Sequence, residues 1–166
     1  MADDNSVTYK LRLMEKQDAH EIGKWKYEPP YSLYDMGDDP EDMQELLDGS
    51  YYAVITPDDG LIGFFCYGSN AQVPGGAAQG LYIGDKVLDI GLGLKPEYTG
   101  IGLGRGFLQA GIQFAECTFT PEKLRLSVAA FNERAIALYS KSGFNLTGSF
   151  DNINEERKME FLVMER

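Results

Sequence analysis

Pro96-Glu97-Tyr98-Thr99-Gly100-Ile101-Gly102-Leu103-Gly104-Arg105-Gly106 sets a glycine at every second position from 100 to 106, where a strand should hand over to a helix. Without Cβ atoms the chain can take positive φ there, and several backbone N–H groups can converge on an anion. The start of the helix adds partial positive charge. A pyrophosphate is the expected guest. The spacing departs from the common nucleotide rules: G-x-G-x-x-G needs glycine where Arg105 or Phe107 stands, and no Gly-Lys-Ser/Thr ending of a P-loop is present. The plain structural alternative is a tight turn that lets helix and sheet pack closely. A glycine inside a helix costs about 1 kcal/mol relative to alanine. Gly106 and Gly111 therefore imply close approach by something, ligand or not.

Outward from this turn the hydrophobic period alternates between two and three to four. Upstream, Val87 to Leu94 reads as a strand with Leu88, Ile90, Leu92 and Leu94 on one face and Asp89, Gly91 and Gly93 on the other. Downstream come an apolar helix from Gly104 to Cys117, a strand through Leu124, Leu126, Val128 and Ala130, and a capped helix from Asn132 to Ser142. Strands near Phe144–Phe150 and Lys158–Met164 close the chain. In the first half, Val7, Tyr9, Leu11 and Leu13 alternate as a strand, and a helix follows from Gln17 to Trp25. Asp39-Pro40-Glu41-Asp42 opens another, ended by Gly49. Tyr51–Ile55 and Leu61–Tyr67, separated by Pro57-Asp58-Asp59-Gly60, form a hairpin, and Ser69 to Gly80 reads as an exposed loop. The expectation is a single α/β (α+β) domain over residues 1–166, with a mixed, mostly antiparallel sheet flanked by helices.

Composition sets limits on partners. The apolar share of 43% and charged share of 25% are those of a soluble globular protein. No run is long enough to span a membrane, and the acidic start Met1-Ala2-Asp3-Asp4-Asn5 lacks a secretory pattern, which argues for the cytoplasm. Cys66 and Cys117 lie in apolar segments without metal-ligand spacing and read as buried free thiols; no metal is expected. A net charge of −11 disfavours nucleic acid and anionic membranes and favours a cationic partner.

Two blocks together resemble the GNAT acetyltransferase superfamily. Leu92-Gly93-Leu94-Lys95-Pro96-Glu97-Tyr98-Thr99-Gly100-Ile101-Gly102-Leu103-Gly104 is similar to its strand and Arg/Gln-x-x-Gly-x-Gly/Ala loop. Asn132-Glu133-Arg134-Ala135-Ile136-Ala137-Leu138-Tyr139 is similar to its Asn-x-x-Ala-x-x-x-Tyr helix. Asp89-Ile90-Gly91-Leu92 looks most like the branch of ribosomal-protein N-terminal acetyltransferases. The family's Arg/Gln position falls on Thr99, and Arg105 in the first helical turn is the candidate to replace the lost charge.

The resemblance implies acetyl-CoA as cosubstrate and an amine as acceptor, with a homodimer plausible by family habit. Leu92 and Leu94 would pair with the pantetheine arm through their backbone, as an added strand does. Thr99, Gly100, Ile101, Gly102, Leu103, Gly104 and Arg105 would hold the diphosphate. Asn132 would bind the pantetheine arm while also capping its helix, and Tyr139 would reach the thioester sulfur. Core packing is the rival role for Tyr139. Asp89 is a candidate base, an anchor for a cation, or a solvated strand residue. Trp25, Tyr27, Glu28, Tyr31 and Tyr34 fall where the family places an acceptor wall, with cation–π contact as its chemistry, although some of these rings would serve only to cover the core. His20, the sole histidine, reads as a surface residue, so a triad lacks its base. Two other readings remain open: a non-enzymatic acyl-CoA-binding module on the same fold, and a nucleotide-binding protein.

Overall fold

The structure is a computed structural model that describes residues 7–166; the strand expected from Val7 begins only at Lys10 and runs to Leu13. The chain divides into two compact units, one holding the residues up to Cys66 together with Leu92–Phe114, the other Tyr67–Gly91 together with Ala115–Arg166.

In the first unit β1 (Lys10–Leu13), β2 (Tyr51–Thr56) and the start of β3 (Gly60–Tyr67) run antiparallel, with Leu11 opposite Val54 and Ala53 opposite Phe64. The Pro57-Asp58-Asp59 turn closes the expected hairpin. Helix α1 (Lys16–Ile22) is shorter than the pattern suggested. A reciprocal capping box between Glu15 and Asp18 starts it, and Gly23 caps it. Asp18 is also bridged by Arg12 at 2.6 Å. Helix α2 (Pro40–Leu46) begins as read, with Asp39 accepting from the Asp42 N–H at 2.9 Å and Pro40 in the first turn, but stops before Gly49. The core gathers Ile22, Leu46, Ala53, Val54, Ile62, Phe65, Phe107, Leu108 and Ile112.

Strand β4 (Val87–Leu94) and helix α4 (Gly104–Phe119) each pass without a break from one unit's residues into the other's. In the first unit the Lys95 N–H donates to the Ile62 carbonyl at 2.7 Å, which keeps the end of β4 beside β3. Gly93 and Gly111 are explained here: a Cβ on Gly93 would collide with the Phe64 ring, and one on Gly111 with the Phe65 ring. Close helix–sheet packing is therefore the reason for Gly111.

The second unit holds the order β4-β5-β7-β6, with β5 at Lys123–Ala129, β6 at Asn145–Asn154 and β7 at Arg157–Glu165. β4 and β5 are parallel, and the other pairings are antiparallel. Helix α5 (Glu133–Lys141) lies between β5 and β6 in sequence, with Asn132 as its N-cap. Leu124, Leu126, Val128, Phe144, Phe150, Phe161 and Met164 form the core, where Phe150 and Phe161 stack at 5.5 Å.

Three expectations need correction. The loop from Ser69 to Gly80 contains a 3-10 turn at Ser69–Ala71 and helix α3 (Pro74–Ala78), with Gly76 buried beneath the Tyr82 ring. Pro74 was a helix-start signal masked by the two glycines after it. Cys66 is buried, but Cys117 is exposed, because it lies on the outer side of α4. Asp89 is not a solvated residue on an open polar face: it is 4% exposed, so β4 is covered on both sides there.

Candidate active site

The residues read as cofactor and acceptor groups fall into two sets, one in each unit. In the first unit, β4 ends at Leu94 and the chain makes a 3-10 turn over Pro96–Tyr98. The Thr99 N–H and hydroxyl both donate to the Pro96 carbonyl, at 3.2 and 2.8 Å. Thr99 therefore shapes the turn and has no donor left over for a phosphate. Gly100 and Gly102 then take φ of 73° and 86°, the left-handed region that favours glycine, and α4 begins at Gly104. Among the described residues, no backbone carbonyl accepts from the N–H groups of residues 100–106, and the first helical bond runs from the Phe107 N–H to the Leu103 carbonyl at 3.1 Å. The space a Cβ of Gly102 would fill is open, Ile101 is 61% exposed, and Arg105 is exposed in the first turn. These unbonded donors, at a helix start beside a cationic side chain, have the chemistry to hold an anion.

The aromatic segment belongs to the same unit, and its members differ in role. Trp25 is buried and stacks on Phe64 at 6.4 Å, so it is part of the core, with its indole N–H buried and lacking a hydrogen-bond partner. Tyr27 donates its hydroxyl to the Leu94 carbonyl at 2.6 Å, and its N–H to Asp35 at 2.9 Å. Burial, reinforced by Asp35 and Glu97, pushes its phenol well above the usual tyrosine range, so it stays neutral. Tyr27 thus ties this segment to the last residue of β4. Glu28 is exposed, while Tyr31 and Tyr34 are half-buried in a 3-10 turn.

In the second unit, the β4–β5 ladder covers only Val87–Asp89 against Lys123–Arg125. Beyond it, Ile90 and Gly91 on one strand and Leu126 to Ala129 on the other are not in register with each other. The last rung carries the buried pair: Arg125 Nε and Nη2 donate to the two Asp89 oxygens at 2.6 and 2.8 Å, and Gln72 donates to Asp89 at 2.8 Å. Arg125 also donates through Nη1 to the Ile83 carbonyl at 2.8 Å and lies 5.1 Å from the centre of the Tyr82 ring. Asp89 raises the Arg125 guanidinium further, which keeps it charged although buried. Nothing in the sequence pattern singled out Arg125, Gln72 or Tyr82. The one available signal was a lone arginine among Leu124, Leu126 and Val128, matched by a lone acid in β4.

Asn132 caps α5 by accepting from the Ala135 N–H at 3.2 Å. Tyr139 is 8% exposed and meets Phe144 edge-on at 6.2 Å, so most of its ring is packed in the core. Asp89, Asn132 and Tyr139 thus share one unit, whereas Leu92, Leu94, residues 99–105 and the aromatic segment share the other. His20 is exposed on α1.

Charge is distributed unevenly along the chain. From Tyr27 to Asp85 there are eleven Asp and Glu and no Lys or Arg, which accounts for the entire net charge of −11, and the remaining residues balance. No helix among the described residues is long and apolar enough to cross a membrane.

Comparison with known proteins bears on this geometry. The profile of the acetyltransferase (GNAT) family matches residues 16–144. A comparison with curated proteins gives no match. Among solved structures, a GNAT-family acetyltransferase from Bacillus anthracis superposes with a TM-score of 0.72 at 14% identity, over 95% of this chain and 93% of that one. An N-acetyltransferase from Staphylococcus aureus Mu50 gives 0.69 at 15% identity, over 96% and 98%. A chimera of the spermidine N-acetyltransferase SpeG from Vibrio cholerae and hSSAT gives 0.67 at 19% identity, over 95% and 93%. These likenesses show a shared fold, and the profile match spans more than half of the chain. The chain belongs to the GNAT family and is an acyltransferase.

Proposed function

We propose that this protein transfers the acetyl group of acetyl-CoA to a primary amine, either a protein N-terminus or a small cationic amine, by direct attack. The observation that carries this reading is the run of uncommitted N–H groups at residues 100–106, opened by positive φ at Gly100 and Gly102 and flanked by Arg105. It suits the diphosphate of coenzyme A. The backbone of Leu92 and Leu94 extends the pantetheine arm as an added strand, and Asn132 bonds that arm.

The neutral amine attacks the thioester carbon, the C–S bond breaks, and Tyr139 donates a hydrogen bond or proton to the departing thiolate. The proton lost by the amine passes to solvent. A phenol near 10 lies above a cysteine-like thiol near 8.5, so full transfer is uphill by about 2 kcal/mol without help. Asp89 has both oxygens engaged by Arg125 and Gln72, which supports a structural role over that of base. An α-amine near pKa 8 needs little assistance in any case.

The acidic stretch from Tyr27 to Asp85 supports a cationic acceptor, drawn toward Glu28, Tyr31 and Tyr34. A cytoplasmic location, no nucleic-acid or membrane partner, and a homodimer complete the reading. It is tested by thiol release from acetyl-CoA over a panel of peptides with free N-termini, polyamines, aminoglycosides and amino acids. Release with at least one amine, lost when Tyr139→Phe lowers turnover more than acetyl-CoA affinity, is the expected result. Tight acetyl-CoA binding with no release from any amine would replace it with a binding module.

A further inference from the structure

A cavity of about 410 Å³ lies in the second unit, bordered by Leu81, Ile83, Arg125, Thr147, Val163 and Glu165. We propose that it is a subsite for the distal ammonium and aliphatic spacer of a diamine acceptor, with Glu165 as the residue that recognises the cation. This rests on the acetyltransferase reading and names the acceptor class within it.

The charges on its walls favour a cation. Arg125 stands between two carboxylates in the sheet register, with Asp89 opposite it on β4 and Glu165 opposite it on β7. Asp89 takes the guanidinium through two short bonds at 2.6 and 2.8 Å and thereby neutralises it. Among the described residues Glu165 has no ion pair within 4 Å, although it lies near enough to support the charge on Arg125. The three groups together carry one uncompensated negative charge, and it sits on the cavity wall. An ammonium there gains both the Glu165 carboxylate and relief of its half-buried charge.

The other walls suit methylenes. Leu81, Ile83 and Val163 are aliphatic, and Ile83, at 72% exposed, leaves apolar surface to cover. The segment bearing Leu81 and Ile83 is held in place. Arg125 Nη1 fixes the Ile83 carbonyl at 2.8 Å, and the Tyr82 hydroxyl lies 2.7 Å from the Ser127 hydroxyl and accepts from the Val73 N–H at 3.0 Å. On the far wall the β6–β7 register shifts between Leu146 and Gly148, and the position of a Gly148 Cβ is open space. Room therefore exists for a chain of several carbons ending beside a carboxylate.

The test compares 1,4-diaminobutane with butylamine, which lacks the second cation, as acceptors for the unaltered protein and for Glu165→Gln. A lost charge-assisted contact should raise KM for the diamine about tenfold while kcat, KM for butylamine and acetyl-CoA affinity stay within twofold. A Gly148→Leu variant, which fills the cavity without a clash at Cβ, should show the same selective loss. Diamine binding in the absence of acetyl-CoA, followed by calorimetry, should weaken in parallel in both variants. Equal KM for the diamine in all three folded proteins overturns the subsite, as does an equal loss for both amines. If neither amine is acetylated but calorimetry shows diamine binding that Glu165→Gln abolishes, the transferase reading fails and the cation site stands.

Discussion

The glycine turn at residues 99–106 and the Arg125 cluster of the second unit handle charge in opposite ways. The turn leaves its backbone donors uncommitted in largely exposed chain. The cluster buries a guanidinium and a carboxylate at 3% and 4% exposure and commits three of the five guanidinium N–H groups to Asp89 and Ile83. Unspent hydrogen-bonding capacity at a surface is a binding feature, whereas spent capacity in a core is a positioning one, and the same residue types can build either.

The sharpest way to break this contrast is to remove one member of the buried pair. Asp89→Ala leaves the Arg125 charge buried without its partner and should cost about 3–5 kcal/mol of stability, read from the denaturant midpoint. If the variant folds normally yet loses turnover, Asp89 is a catalytic base after all. Gly111→Ala forces a methyl into the Phe65 ring and should cost about 1–3 kcal/mol with no direct effect on acetyl-CoA affinity in the folded fraction. Gly102→Ala meets no atom, so its cost is that of a left-handed alanine, about 1–2 kcal/mol, and it should fall mainly on cofactor affinity because the turn would relax. Equal effects of these two glycine variants on stability and affinity would erase the difference between packing and binding glycines.

Smaller effects follow from titration. Burial raises the phenols of Tyr27 and Tyr51 above the usual range, and Tyr51 is further held by its bond to Glu45. In the unfolded chain these tyrosines ionise near pH 10, so above that pH the unfolded state releases protons that the native state keeps. Their contribution is complete below about pH 10 and is lost as pH rises beyond it. Unfolding followed between pH 8 and 12 should show stability falling, less steeply in Tyr27→Phe. Asp42 is raised by desolvation and then by Asp39, Glu45 and Glu41, so its ionised form is disfavoured in the folded state. Asp42→Asn should therefore stabilise at neutral pH by no more than about 0.5 kcal/mol after solvent screening, and the gain should vanish as the pH falls and Asp42 takes up its proton.

Much of the fold was legible in local signals. Alternation gave the strands, Asp39-Pro40 and Asn132 gave two helix starts, and a Pro-Asp-Asp-Gly turn closed the hairpin. These features depend on neighbours within a few residues, and so the pattern carries them. Ser69–Gly80 was misread because Gly75 and Gly76 right after Pro74 look like a loop, whereas the Asn152 side chain, accepting from the Gly75 N–H at 2.9 Å, and the Tyr82 ring over Gly76 anchor that turn as a helix from positions distant in sequence. Trp25 and Tyr27 read alike as aromatic wall residues, yet one stacks in the core and the other grips the Leu94 carbonyl.

By itself the sequence determined most of the order of elements, the glycine turn after β4 and the family to which it points, because a run of glycines at a helix start limits what the backbone can do. It also determined the net charge and its concentration between Tyr27 and Asp85. Only the tertiary structure decided which polar groups are spent. Whether Asp89 faces water or Arg125, whether Thr99 can donate outward, and whether Glu165 is left without a close cation all depend on partners that are distant in sequence or set by a turn's geometry. Hydrogen bonds and ion pairs act over a few ångströms in space, and hydrophobic periodicity does not encode which distant strands will meet.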